Sequence, residues 1–149
     1  MKPKSSESQE LLHSVLETLG QGEALLTQLS DEDYTRKVGV AFHASIGGHY
    51  RHCLDHFRSL IDAAAYGDLN YDNRERGTMI ENDRFAALNA TRDLRDAYEH
   101  LAPALLTRPF NVTCKTSYAT NGSQVSPSTV GREIMYCVAH AVHHYALIG

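Results

Sequence analysis

No apolar run in this chain approaches the ~20 residues that a helix needs to cross a bilayer, so a membrane-spanning helix is not expected. The opening Met1-Lys2-Pro3-Lys4-Ser5-Ser6-Glu7 is polar and turns acidic where a secretory signal needs an apolar stretch, and a cytoplasmic location is the expectation. Cysteine is scarce: Cys53, Cys114 and Cys137 form no close-spaced pair, and an odd count argues for packed thiols over a disulfide framework. Charge of one sign does not accumulate either. The 14 basic and 18 acidic residues leave a net charge of -4 with no long runs, which excludes the electrostatic footprint that nucleic-acid binding requires. No fixed-period repeat and no low-complexity stretch is present.

The 149 residues are 42% apolar and 21% charged, a balance that suits one soluble unit with a buried core, and residues 1–149 are expected to form a single domain. Leu12, Val15, Leu16, Leu19, Leu26 and Leu29 mark a first helix over about Glu7 to Leu29, closed by Ser30-Asp31-Glu32-Asp33. Tyr34 to Phe42 reads as a connector. From near Ser45, the residues Tyr50, Cys53, Leu54, Phe57, Leu60, Ile61 and Ala64 make the clearest helical stripe, ending before Gly67. Gly67 to Gly77 is polar without periodicity and reads as a loop. Thr78 and Glu81 have capping-box spacing for a third helix carrying Ala87, Thr91, Leu94, Tyr98 and Leu101, weakened at Pro103. Alternation at Val112, Cys114, Thr116 and Tyr118, with Asn121-Gly122 as a tight turn, predicts a small β-hairpin over Asn111 to Val125. Ser126-Pro127 then opens a last helix with Ile134, Cys137, Val138, Ala141, Tyr145 and Ile148 on its inner face. The predicted fold is all-α: a four-helix bundle with a hairpin before the last helix.

Histidine is what the chain has in excess: nine residues, six of them confined to His49, His52, His56, His140, His143 and His144. At 100° per residue, His49 and His56 border the core stripe of the second helix and His52 lies farther round. On the last helix His140 and His144 border the core and His143 points toward solvent. An i, i+4 histidine pair can converge on one ion at ~2.0–2.1 Å. His49 and His56 are separated by roughly 10.5 Å of helical rise, so only one level of the second helix can meet that pair. His49 is the first choice as third ligand to His140 and His144; His52 and His56 are left as pocket groups able to move protons. A single histidine of this kind is more often a hydrogen-bonded residue at the edge of a core. Six in two inward-leaning clusters favour a shared cation, because each unpaired buried imidazole costs on the order of a kcal/mol. Glu133 could act as a base or orienter, but pairing with Arg132 is the commoner outcome, and Cys53, Cys137, Tyr50 and Tyr145 read first as packing.

The run Ser45-Ile46-Gly47-Gly48-His49-Tyr50-Arg51-His52-Cys53-Leu54-Asp55-His56-Phe57, with Gly131-Arg132-Glu133-Ile134 and His140-Ala141-Val142-His143-His144-Tyr145-Ala146-Leu147-Ile148, resembles the DinB/YfiT-like superfamily of metal-dependent enzymes. Tyr71-Asp72-Asn73-Arg74-Glu75-Arg76 is similar to the loop of one branch of it. The resemblance implies an up-down-down-up four-helix bundle, one divalent metal ion on the positions of His49, His140 and His144, and a homodimer. It also implies thiol chemistry. Relatives include S-transferases and isomerases that use low-molecular-weight thiols such as mycothiol or bacillithiol, and domains of sulfoxide-forming thiol biosynthesis enzymes. The last helix is expected to continue beyond Gly149, so either the chain is shortened or a wall of the pocket is missing or comes from a partner chain.

Two functions follow. Three histidines leave an open position for water or a thiolate, which suits a metal-dependent S-transferase or a related hydrolase or isomerase. The alternative is a non-catalytic metal- or ligand-binding bundle with a closed, four-ligand site. Imidazole ligands leave zinc, nickel, manganese, copper and iron all open as the ion.

Overall fold

The computed structural model describes residues 5–37, 44–72, 79–117, 119–120 and 122–148. The protein is mostly helical with a small three-stranded sheet. Four long helices carry the expected apolar stripes: α1 (Ser5–Gln28), α3 (Ile46–Ala63), α4 (Arg84–Glu99) and α5 (Val130–Ile148), with a short α2 (Asp31–Thr35) after the first. α1 packs on α4 and α5, and α3 packs on the same two. Their shared core holds Val15, Leu19 and Leu26 of α1, Leu54, Phe57 and Leu60 of α3, Leu94 and Tyr98 of α4, and Ile134, Cys137 and Ala141 of α5. Each fully buried Leu, Ile or Phe contributes ~1.5–3 kcal/mol before its entropy cost, so these stripes outweigh any single polar contact. Among the described residues, no helix is long and apolar enough to cross a membrane.

The ends of the elements depart from expectation for local reasons. Ser30 does more than close α1: its hydroxyl accepts the Asp33 N–H at 3.0 Å and caps α2, whose Tyr34 is fully buried. Residues 38–42 of the predicted connector lie outside the described residues. Ser45 caps α3 as expected, accepting from Gly48 N–H at 2.9 Å. The predicted loop after Gly67 contains a strand, β1 (Leu69–Asn70), which pairs parallel with β2 (Pro109–Lys115). Two aspartates flanking β1 lengthen that contact, Asp68 accepting Asn111 N–H at 2.9 Å and Asp72 accepting Lys115 N–H at 2.7 Å. A polar run without periodicity conceals a strand this short, because only Leu69 is buried.

Thr78 of the proposed capping box lies outside the described residues, and α4 begins at Arg84 instead. Asp83 caps it, accepting from Phe85 and Ala86 N–H at 3.0 and 3.2 Å. Glu81 instead accepts from Arg51 of α3 at 2.9 Å. β2 pairs antiparallel with β3 (Ser123–Thr129), burying Phe110 and Val112. Tyr118 of the expected alternation and Asn121 of the expected turn lie outside the described residues. Ser126-Pro127 does not open the last helix: Pro127 is paired with Asn111 in β3, and α5 begins at Val130. β3 is an edge strand, where a residue without an N–H leaves no ladder bond unmade, and Thr129 takes over the capping by accepting Arg132 N–H at 3.2 Å.

Gly47 sits where α3 meets the backbone preceding α4. A Cβ there would overlap the Glu81 carbonyl oxygen and lie 2.9 Å from the Tyr34 ring. Gly47→Ala therefore lowers stability by ~1–3 kcal/mol through overpacking, although helix propensity alone would raise it. Scanning calorimetry should show a Tm reduced by roughly 2–4 °C per kcal/mol; an unchanged or higher Tm would contradict this packing.

Candidate metal centre

Two tyrosines set the register of α3 against α5. Tyr50 and Tyr145 stack with centroids 6.4 Å apart and planes 14° off parallel. The Tyr50 hydroxyl bonds to Thr91 of α4, and the Tyr145 hydroxyl donates to the Thr18 carbonyl of α1 at 3.1 Å. Both hydroxyls are thus engaged within the bundle. Gly22 of α1 makes room for the pair: a Cβ there would lie 2.5 Å from one hydroxyl and 2.7 Å from the other. Because successive helical residues are about 100° apart, anchoring Tyr50 and Tyr145 inward places His49 and His144 side by side at the edge of the same seam.

The histidines form a ladder along that seam. At one level His49 Nδ1 lies 3.3 Å from His144 Nδ1. At the next, the His56 ring stacks on His140 with centroids 4.1 Å apart. His52 stands between the levels, 4.8 Å from the His140 ring, 5.0 Å from His144 and 4.7 Å from His56. His52, His140 and His144 each offer a ring nitrogen, and the three nitrogens lie within 4.8 Å of one another. His143 is exposed, as its helical angle predicts. Sequence reasoning placed His52 farther from the seam than it lies. The usable signal was the i, i+3, i+7 spacing of His49, His52 and His56, which confines all three to an arc of about 60°.

These groups fit a divalent ion. Nδ1 of His140 is buried without a hydrogen-bond partner among the described residues, a state that costs roughly 1–3 kcal/mol unless something satisfies the nitrogen. Burial, then the neighbouring imidazoles with His56 first, pushes the His140 pKa down to about 3. Burial, then His49, lowers that of His144. Both rings are therefore neutral at pH 7, the form that coordinates. Two ligands ~2.0–2.1 Å from one tetrahedral ion lie ~3.3–3.4 Å apart, which is also the His49–His144 nitrogen separation.

The sequence model of the DinB family matches residues 1–148. This chain belongs to the DinB family. Among curated proteins, FK506-binding protein 5 of Rhizopus delemar is 35% identical over 80 residues, covering 54% of this chain and 21% of that protein. The match thus spans about a fifth of the relative's length. No solved structure matches the chain.

Around the histidines of this DinB-family chain, Glu133 pairs with Arg132 at 2.8 Å, the commoner of its two expected roles, but it is only 2% exposed. Its carboxylate also accepts Tyr71 O–H at 2.8 Å and Ser128 O–H at 2.7 Å. Tyr71 in turn stacks on His56, centroids 4.8 Å apart, and Tyr136 stacks on His140 at 5.8 Å. Neither tyrosine was given a site role from sequence: Tyr71 entered only as the first residue of the loop run that carries part of the resemblance, and Tyr136 faces partly outward. Cys53 and Cys137 are buried thiols raised to about 12 by burial, as expected of packing residues.

The depressed His140 and His144 pKa values make metal-free stability pH-dependent. Unfolded histidine takes up a proton below about 6.5, whereas folded His140 resists until about 3. Stability is therefore full above the unfolded value and lost as pH falls through that window. Urea unfolding in chelator at pH 7.5 and pH 5, about one unit above and 1.5 below that value, should show a larger loss in wild type than in His140→Gln. Equal losses would remove His140 as the source.

Proposed function

We propose that this protein binds one divalent metal ion at the α3–α5 seam and uses it in enzymatic chemistry. The observation that carries the reading is the convergence of His52, His140 and His144 within 4.8 Å, around a buried His140 nitrogen that no described residue satisfies. His140 and His144 supply two ligands. His52 completes the converging set, and His49 is the second candidate for that place because of its 3.3 Å approach to His144. Zinc, nickel, manganese and iron are the candidate ions. When bound, such an ion acts as a Lewis acid and lowers the pKa of whatever occupies its open position.

The chain's own residues supply the proton traffic. His56 Nδ1 lies 3.0 Å from the His52 carbonyl, which can only accept, so the Nδ1 carries the proton and Nε2 holds the lone pair of the neutral ring. His52, where it is not a ligand, serves the same purpose beside it. The reaction we propose is metal-dependent transfer to or from a low-molecular-weight thiol, or a related hydrolysis or isomerisation, a reading supported by family membership. In this reading residues 1–149 act as one up-down-down-up four-helix unit, as a cytoplasmic homodimer. A non-catalytic site is the second reading: His49, which reaches His144 at 3.3 Å, would close the coordination as a fourth ligand if it joined the converging His52, His140 and His144.

Elemental analysis of purified protein tests the site. His140→Ala and His144→Ala should each lose most of the metal, with helical circular dichroism retained. Whichever of His49→Ala and His52→Ala loses as much names the third ligand, and loss in both identifies a closed four-ligand site. Full retention in both α5 variants would sink the proposal. Activity is tested separately by assaying a panel of electrophiles with low-molecular-weight thiols and added Zn²⁺, Ni²⁺, Mn²⁺ or Fe²⁺. Absence of metal-dependent turnover across the panel leaves the non-catalytic reading.

A further inference from the structure

Behind the histidine ladder, a cavity of about 470 Å³ opens between the sheet and the first turns of α5. That volume lies within the range of small-molecule sites. It shares two walls with the ladder: Tyr71, which stacks on His56, and Tyr136, which stacks on His140. The remaining lining is apolar at Val112 and Pro127 and hydroxyl- or amide-bearing on β3.

Among the described residues, Arg132 and Glu133 are the charged members of the lining, and they are not equally available. Both Glu133 oxygens are engaged, Oε1 by Tyr71 and Oε2 by Ser128 and Arg132, and the residue is 2% exposed. The Arg132 side chain is 66% exposed. Only its Nη1 is held by that carboxylate, and its guanidinium carbon lies 6.0 Å from the Tyr136 ring centroid. A guanidinium has five N–H donors in a rigid fork, so most remain available among the described residues. The buried carboxylate thus fixes the orientation of an arginine whose accessible charge is positive, and the carboxylate in the described lining is already engaged.

We propose that this cavity binds a small carboxylate with a planar or apolar body, its carboxylate on Arg132 and its body against Tyr136 and Pro127. A molecule so held is separated from His56 and His140 by the Tyr71 and Tyr136 rings. The binding does not rest on the metal reading.

The test titrates the full-length protein, as purified and with its metal content measured, with benzoate and with benzamide, its neutral counterpart. Amide shifts of Ser126, Ser128, Arg132 and Tyr136 are followed by NMR. Benzoate should give saturable shifts and bind at least roughly tenfold more tightly than benzamide, as a charge-assisted hydrogen bond predicts. Arg132→Gln should abolish that preference with metal content unchanged. Arg132→Lys, which keeps a cation beside Glu133 but loses the fork, should fall between, and it carries the test if the glutamine variant does not fold. Absence of saturable shifts, equal binding of the two probes, or a preference undiminished in the variants would each overturn the proposal. The last outcome would place the carboxylate on the histidine cluster, while loss of metal without loss of benzoate binding would count against the metal reading alone.

Discussion

The α3–α5 seam depends on the stacked pair Tyr50 and Tyr145. Each ring is held from two directions, by its stacking partner and by a hydroxyl bond to a third or fourth helix, Thr91 on α4 and Thr18 on α1. Their hydroxyls lie so close to α1 that only a glycine fits at position 22. Four helices therefore meet at one pair of side chains, and the rotation of α3 and α5 about their own axes has little freedom left. The histidines at positions 49 and 144 inherit their facing arrangement from this packing and do not have to create it. A metal-binding constellation held in this way is preorganised, which spares an incoming ion the entropy of gathering its ligands.

The same packing leaves the ladder electrostatically incomplete. Five imidazoles share one seam, His140 and His144 are kept neutral by burial and mutual proximity, and one buried nitrogen is unsatisfied. A cation placed among them gathers the lone pairs of these neutral rings and supplies the missing partner, which is why the arrangement reads as a site more than as a core. On the side away from the seam, Tyr71 and Tyr136 form a layer between the imidazoles and a cavity whose arginine is oriented by the buried Glu133. The carboxylate thus belongs to the wall of the cavity and touches the ladder only through Tyr71.

Periodicity alone was enough to place the four long helices, because each buries a stripe wide enough to dominate its local preferences. The helix starts were less legible. Ser45 worked as read, whereas Ser126-Pro127 has the composition of a helix start and is drawn instead into β3 by its pairing with β2. β1 was missed because two residues carry too little pattern, and its parallel partner is about forty residues away, a contact that local sequence does not encode.

For the candidate site, spacing was enough to set His49 and His56 at one border of α3, with His52 read as farther round, and His140 and His144 at one border of α5. Helical geometry converts spacing into direction without reference to the rest of the chain. Which rung of α3 meets which histidine of α5 was decided only by the tertiary structure. That choice depends on the axial offset and rotation between two helices distant in sequence, set by the tyrosine pair, Gly22 and the hydroxyl anchors on α1 and α4. The packing brought His52 to the middle of the ladder, paired His49 with His144, and laid Tyr71, from a segment without helical pattern, against His56.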